Sequence, residues 1–218
     1  MSKPQGSNQS KAIELIAQAR QGTVQTVTVT MRDMARHGAL FIRYLEARKE
    51  IFLDDLGWSV SEADGMEFDQ YDTPFARWVI VHDKGRILGG VRMLPTTARC
   101  GVYSYMLRDA QLGILDDLPN EVLFFPAPVE HGVWEATRFF LTRDVPARDR
   151  QMVQALLFQG MSQTAMNNGA THILGIVPAI WARWARRLGV TATPVGHPFS
   201  IDGTASQSVL FTAADFVL

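Results

Sequence analysis

Several features of secreted, metal-binding and nucleic-acid-binding proteins are scarce or missing in this sequence. Its one cysteine, Cys100, excludes an internal disulfide, and no paired Cys or Cys/His spacing predicts a structural zinc site. The formal net charge of -1 lacks the positive field of a protein that coats nucleic acid. Because no apolar run reaches the length of a membrane span and the first residues lack a signal core, we expect a cytoplasmic protein without stable membrane insertion.

The composition predicts one folded domain with a short N-terminal extension. Of the 218 residues, 47% are hydrophobic, which is enough for one sizeable core. Residues 1 to about 10 are polar and are predicted to be a mobile tail. Apolar residues between Ala12 and Ala19 recur at helical spacing and predict a short helix before Gly22. We therefore divide the chain into an extension at 1–22 and a domain at 23–218.

The hydrophobic periodicity predicts an α/β fold with a mixed sheet flanked by helices. Residues 77–94 read as a hairpin that turns at Lys84 and Gly85, and the Gly89–Gly90 pair is typical of a bulge. The order is compatible with an N-acetyltransferase-like fold, in which two neighbouring strands splay apart and expose backbone that can pair with a pantetheine arm. The remaining predicted elements are strands at 23–30, 133–142, 171–177 and 207–213, helices at 36–53, 146–168 and 179–189, and a loop at 58–76.

Six charged residues stand in regions that are otherwise rich in aromatic residues. Charges on or beside predicted strands are expected to face solvent or to form a paired network, because an unpaired buried charge is very costly. A purely structural ion-pair network and a functional site both remain open at this point. The six residues are Arg48, Asp69, Asp72, Arg92, Glu135 and Arg138.

Five ordered motifs make the sequence similar to the acyl-homoserine lactone synthases, also called autoinducer synthases. RKEIFLDDLGW at 48–58 has the family's Arg, Phe and Trp spacing, and MEFDQYD at 66–72 has its pair of aspartates. Arg92 precedes the characteristic Leu-Pro-Thr-Thr run, and WEATRFFLTR at 134–143 matches the Glu-x-x-Arg-Phe motif. GHPFSIDG at 196–203 resembles the closing segment. Five ordered motifs rarely occur together by chance.

Three features depart from the family pattern. Thr137 replaces the usual Ser before the motif arginine, which keeps a hydroxyl group. Met106 and Leu107 are not followed by the usual Phe. The segment 123–133 and the N-terminal extension also differ from compact members of the family.

The resemblance implies a single-domain N-acetyltransferase-like fold and a quorum-sensing reaction. The amine of S-adenosylmethionine would take a fatty acyl group from acyl carrier protein or acyl coenzyme A, and lactone closure would then release methylthioadenosine. S-adenosylmethionine would be a substrate, and no cofactor and no metal are expected. The implied catalytic residues are Glu135, as general base, and Arg138. The implied substrate-binding residues are Arg48, Phe52, Trp58, Asp69, Asp72, Arg92, Thr137 and Phe139.

Two groups of arginines are candidates for a surface that binds the acidic acyl carrier protein. Ordinary solvated helix charges are the alternative. The groups are Arg143, Arg148 and Arg150 beside one predicted helix, and Arg183, Arg186 and Arg187 on the next.

Other functions also fit parts of the pattern. A related acyltransferase acting on another amine, such as an amino acid, has the same expected fold. A non-catalytic protein that binds S-adenosylmethionine or an acyl carrier is a second alternative.

Overall fold

The protein is described by a computed structural model that covers residues 5–20, 22–178 and 190–216. Four α-helices and ten β-strands are present in these ranges, and an eight-stranded sheet forms the centre. The helices are α1 (Gln5–Arg20), α2 (Leu40–Lys49), α3 (Met106–Gln111) and α4 (Arg150–Asn167). The strands are β1 (Val24–Thr30), β2 (Glu62–Ala63), β3 (Met66–Glu67), β4 (Arg77–Asp83), β5 (Arg86–Pro95), β6 (Val133–Leu141), β7 (His172–Pro178), β8 (Ala192–Pro194), β9 (Phe199–Ile201) and β10 (Thr204–Thr212).

The sheet is mainly antiparallel and has the order β1-β4-β5-β6-β7-β10-β8, with β9 paired to β10. Helices α1 and α4 cover one face, where their apolar residues pack on alternate side chains of the central strands. Helices α2 and α3 and the loop at 58–76 cover the other face. The predicted mixed sheet with flanking helices is confirmed.

One parallel strand pair produces the opening in the sheet. Strand β6 pairs with β7 from Val133 and His172 to Ala136 and Gly175. Both strands continue beyond that point, but the ladder between them ends, and β7 keeps only its antiparallel partner β10. A wedge therefore opens between β6 and β7, as the N-acetyltransferase-like fold requires.

The structure corrects several predicted boundaries. Helix α1 begins at Gln5 and so includes residues that were predicted to be a mobile tail. Buried Ala12 and Ile16 anchor the helix, and each residue added at its N-terminal end then forms one more backbone hydrogen bond. The predicted helix at 36–53 is a 3₁₀ turn, α2, and a π-helical segment at Glu50–Asp55. Helix α4 begins at Arg150, since a turn at Pro146 precedes it.

The glycine pair in β5 serves close packing. The register of β5 shifts against β4 beside Gly89 and against β6 beside Gly90. A Cβ atom on Gly90 would overlap the ring of Tyr44, which lies directly over the strand. The predicted bulge is therefore confirmed, and it lets α2 approach the sheet.

The described ranges contain neither a candidate membrane-spanning helix nor a candidate metal cluster. No helix there combines the length and apolar character that a bilayer span needs. No group of three or more His, Cys, Asp or Glu side chains in those ranges is placed to hold a metal ion. The predicted helix at 179–189 lies outside the described residues.

Candidate active site

A cavity of about 460 Å³ fills the wedge between the two splayed strands. Residues 136–141 of β6 and 176–178 of β7 form its sides, and Ile201 and Asp202 of the predicted closing segment also contribute. Part of the wall is apolar and is formed by Leu115, Leu118 and Ile176. The cavity is therefore apolar over much of its surface and has exposed strand backbone along one side.

Arg138 enters the cavity wall because β6 is distorted at that residue. Strict alternation would place its side chain on the α4 face together with Ala136. Instead Arg138 has φ +56, and the β5–β6 register skips from Gly90 and Phe140 to Arg92 and Thr137. The extra residue in β6 defines a β-bulge at this point. A non-glycine residue with positive φ often marks a functional site. The distortion turns the guanidinium toward the face that carries the predicted charges.

Three arginines and three carboxylates form one buried network on that face. Arg48 binds both carboxylate oxygens of Asp72, at 2.8 and 3.1 Å, and also contacts Glu67. Arg92 binds both oxygens of Asp69 and reaches Asp72 at 2.9 Å. Each of these two guanidinium groups thus makes a paired fork with a carboxylate, the strongest geometry for such a pair.

Arg138 completes the network at the cavity. Its Nη2 atom lies 3.0 Å from Asp69 and 3.1 Å from Glu67, and its Nε donates to Glu67. Every nitrogen of the Arg48 and Arg92 guanidinium groups donates a hydrogen bond. Among the guanidinium nitrogens of these three arginines, only Nη1 of Arg138 donates no hydrogen bond to a described residue. It is the donor best placed to meet a ligand.

The network keeps its aspartates ionised. Burial raises the pKa of Asp69, but Arg92 and Arg138 lower it further, so that it lies below its ordinary range. Burial likewise opposes ionisation of Asp72, and Arg92 and Arg48 overcome it and hold the pKa of Asp72 far below its usual value. Both carboxylates therefore carry charge at neutral pH.

The six predicted charged residues divide into three groups, of which Glu135 alone forms the third and is described below. Asp69 and Arg138 line the cavity together with the uncharged Thr137, which accepts a hydrogen bond from Arg92 at 3.1 Å. Arg48, Asp72 and Arg92 lie behind the cavity wall, where they hold the first pair in place. Their direct contact with substrate stays a prediction.

Glu67 is a network member that the sequence analysis did not select. It is fully buried and bridges Arg48 and Arg138. One signal was available: three arginines needed three acidic partners, and Glu67 lies in the same acidic motif as Asp69. Glu135 had been counted as the third acid, but it has a different environment.

Glu135 is buried next to the start of α3. Its carboxylate accepts hydrogen bonds from the backbone N–H groups of Met106 and Leu107, at 2.9 and 2.8 Å. Burial raises the pKa of Glu135 to about 7, against the lowering effect of those two N–H groups and of Arg92. Met106 lines the cavity and Glu135 does not. The structure thus brings a carboxyl group that titrates near neutrality to within one residue of the cavity wall.

The predicted aromatic residues lie around the charged end of the cavity. Phe52 and Trp58 both line it, and their rings stack with centroids 5.0 Å apart. The Arg138 guanidinium lies 5.3 Å from the centroid of the Phe52 ring. Phe139 also lines the cavity but points to the α4 face, where its ring stacks on Phe158.

The described carrier-binding candidates lie where β6 leads into α4. Arg143, Arg148 and Arg150 are exposed, and Arg143 follows the cavity residue Leu141 by two positions. Arg143 also forms an ion pair with Asp55 and lines a second cavity of about 480 Å³, where charged side chains of both signs meet. The second candidate group, Arg183, Arg186 and Arg187, lies outside the described residues.

Comparison with known proteins identifies the family. Residues 33–215 match the family model described as autoinducer synthase. An acyl-homoserine-lactone synthase of Ralstonia nicotianae is 35% identical over 162 residues, which cover 72% of this chain and 74% of that protein. One from Pseudomonas aeruginosa is 27% identical over 169 residues, or 76% of each chain.

Solved structures agree with the sequence comparison. TofI, crystallised in a ternary complex with an inhibitor and MTA, has a TM-score of 0.71 and 27% identity; the match covers 89% of this chain and 97% of that one. The CoA-dependent acyl-homoserine lactone synthase BjaI, with SAM and isopentyl-CoA, has the same TM-score at 18% identity and supports the fold. With its motifs, its splayed strand pair and its buried charge network, the chain belongs to the autoinducer synthase family.

Proposed function

We propose that the protein is an acyl-homoserine lactone synthase that acts on S-adenosylmethionine inside the wedge cavity. The observation that carries this proposal is the meeting of two environments in one cavity: an apolar wall with free strand backbone, and a charged end formed by Asp69 and Arg138. A fatty acyl thioester fits the first environment. A zwitterionic cation such as S-adenosylmethionine fits the second.

The charged end can orient the methionine part of the substrate. Its ammonium and sulfonium groups are cationic and are attracted by Asp69, which the network keeps ionised. Its carboxylate is anionic and can accept a hydrogen bond from Nη1 of Arg138. Trp58 is proposed to offer its indole face to the sulfonium, an attraction worth about 0.5–2 kcal/mol, while Phe52 supports Trp58 and the Arg138 guanidinium. The neutral network behind these groups fixes both charges before the substrate arrives.

The first chemical step joins the amine to the acyl group. The ammonium loses a proton, and the amine nitrogen attacks the thioester carbonyl carbon. The carbon–sulfur bond then breaks as the nitrogen gives up a second proton, so that the amide forms and the thiolate leaves as a thiol. Glu135 is the proposed base, and because it lies behind Met106 it acts through a water molecule. Backbone N–H groups of the distorted part of β6 are proposed to bind the oxyanion of the tetrahedral intermediate.

The second step closes the lactone. The substrate carboxylate oxygen attacks the γ-carbon, the carbon–sulfur bond breaks, and methylthioadenosine leaves as a neutral thioether. This step needs positioning more than proton transfer. Arg138 is proposed to hold the carboxylate while Asp69 holds the cationic end, so that the attacking oxygen and the leaving sulfur stay on opposite sides of that carbon.

Product analysis tests the activity. The purified protein, incubated with S-adenosylmethionine and a panel of acyl thioesters, is expected to yield acyl-homoserine lactone and methylthioadenosine in equal amounts by mass spectrometry. An acylated amino acid without methylthioadenosine would instead support an acyltransferase for another amine. Binding of S-adenosylmethionine without any product would support a non-catalytic protein.

Glu135→Gln tests the proposed base. We expect turnover to fall by roughly two to four orders of magnitude, the usual contribution of general-base catalysis. Gln keeps the length of the side chain and one acceptor for the α3 N–H groups, and circular dichroism checks that the fold is retained. Turnover close to that of the wild type would rule out this role for Glu135.

A charge reversal tests the proposed carrier surface. Arg148 is 86% exposed and lies in the segment between β6 and α4. Arg148→Glu is therefore expected to weaken use of acyl carrier protein more at low salt than at high salt. Use of the matching acyl coenzyme A should change less. Arg36→Glu, at an exposed position on another part of the chain, is the matched control. Equal losses with both donors would argue against this surface.

A further inference from the structure

Asp109 is a buried carboxylate to which neither the family motifs nor the proposed reaction assigns a role. It is fully buried in α3, and in the described ranges no Lys or Arg side chain forms an ion pair with it. This separates it from Glu67, Asp69 and Asp72, each of which has arginine partners. A buried charge without a cation is costly, so its hydrogen bonds need an explanation.

The first set of bonds fixes the start of α3. The Ser104 backbone N–H lies 2.9 Å from Asp109 Oδ2, and the Ser104 hydroxyl donates to Oδ1. Asp109 therefore reaches back over the first turn of α3 and holds the residues just before the helix. The N–H groups of the first two residues of α3, Met106 and Leu107, are those that bind Glu135. The two acids share one short stretch of backbone.

The second bond leads to the charge network. The Tyr71 hydroxyl donates to Asp109 Oδ2 at 3.0 Å. The Tyr71 backbone N–H donates to Asp69 at 2.8 Å, and its ring lies 5.5 Å from the Arg92 guanidinium carbon. Tyr71 itself lines the cavity. Tyr71 thus connects the buried carboxylate of α3, through its hydroxyl, with the cavity residue Asp69, through its backbone N–H.

We propose that Asp109 is a positioning residue that, through Ser104 and Tyr71, locks the backbone holding Glu135 to the loop that carries Asp69. The inference rests on the proposed role of Glu135 as base. A base and a substrate anchor on different elements need a fixed separation, since a misplacement of about 1 Å costs on the order of 100-fold in rate. The Asp109–Tyr71 bond supplies that connection between α3 and the loop at 58–76.

The charge of Asp109 also acts on Glu135. The charged and titratable groups around Glu135 are Arg92 on β5, Asp109 on α3, Tyr105 at the start of α3 and Tyr71 in the loop. Burial is the main cause of the raised pKa of Glu135; Arg92 lowers it and Asp109 raises it. Removal of the Asp109 charge should therefore lower the pKa of Glu135.

Asp109→Asn and Tyr71→Phe, alone and together, test the proposal. For Asp109→Asn we expect kcat to fall about 10- to 100-fold, and the acid limb of the profile of kcat/KM against pH to move to lower pH. For Tyr71→Phe, which keeps the Asp109 charge, we expect a similar fall in rate without that shift. The kcat of the double variant should be little lower than that of Asp109→Asn, because both substitutions disrupt the same hydrogen bond between Tyr71 and Asp109. Asp116→Asn, at an exposed acid, is the matched control.

The outcomes separate this proposal from the one on which it rests. Folded Asp109→Asn with the rate and pH profile of the wild type would overturn it, as would a lower Tm with an unchanged rate per folded molecule. Full additivity of the two substitutions would overturn the connection through Tyr71. If Asp109→Asn does not fold, Tyr71→Phe alone decides by its rate. A wild-type rate for Glu135→Gln would contradict the base instead, and would remove this inference with it.

Discussion

The two faces of the central sheet are equally buried but are stabilised in different ways. On the α4 face, Val79 and Met93 pack against Leu157 and Phe158 in an apolar cluster. On the α2 face, the central strands contribute buried charged residues that include Arg92 on β5 and Glu135 on β6. Because successive side chains of a strand point to opposite faces of the sheet, neighbouring residues enter either the apolar cluster or the charged face.

The difference shows where the molecule accepts a cost in stability. Burial of apolar surface contributes about 25 cal/mol per Å² and needs no specific partner. Buried ion pairs often do no better than apolar residues of the same volume, because desolvation cancels the attraction. Six charges behind and beside a cavity are thus poorly explained by stability. Their arrangement is better explained by the need for fixed charges at the substrate.

Arg92→Ala should give the largest effect. It leaves two arginines for the three carboxylates Glu67, Asp69 and Asp72, so one buried negative charge is uncompensated. We therefore expect the free energy of unfolding to fall by about 3–5 kcal/mol and product to be lost. Leu157→Ala on the other face is expected to cost a similar 2–5 kcal/mol and to keep product formation per folded molecule. Denaturant unfolding and single-turnover assays measure the two quantities separately. Product from folded Arg92→Ala would contradict the functional reading of the network.

The pH dependence of the wild type should give the next effect. Glu135 must be ionised to accept a proton, and burial raises its pKa to about 7. As pH falls below that value the active fraction falls, so kcat/KM should decrease about tenfold per pH unit. Asp69 does not titrate in this range because Arg92 and Arg138 lower its pKa against the effect of burial. A flat profile between pH 5 and 8 would contradict the assignment.

Phe52→Leu and Phe158→Leu make the same substitution on the two faces of the sheet. Both rings are buried, and each change is expected to cost about 1–2 kcal/mol of stability. Only Phe52 lines the cavity and lies against the Arg138 guanidinium. We therefore expect KM for S-adenosylmethionine to rise several-fold for Phe52→Leu, since a cation–π contact is worth about 0.5–2 kcal/mol. Equal KM values for the two variants would mean that Phe52 is only a core residue.

The sequence predicted the apolar face better than the charged one. Strands β4, β5 and β7 follow from short apolar runs rich in β-branched residues, and α4 follows from apolar spacing, because burial there depends on local sequence. The charged residues were found through motifs, but their partners were not. Glu67 pairs across 71 positions with Arg138, and no local pattern encodes such a pairing. The distortion at Arg138 was equally hidden, because arginine carries no signal for positive φ.

Tyr44→Phe should give the smallest effect and sharpens the comparison most. Tyr44 is fully buried on the charged face, between the Arg48 guanidinium and the Phe140 ring. Burial raises the pKa of its hydroxyl, and no described residue forms a hydrogen bond with that group. An unpaired buried hydroxyl costs about 1–3 kcal/mol, so its removal is expected to leave stability unchanged or to raise it by about 1 kcal/mol. Thermal unfolding of the variant measures this. A loss of more than 1 kcal/mol would mean that the hydroxyl contributes to the charge network, which would then include Tyr44 as well as its neighbour Arg48 on α2.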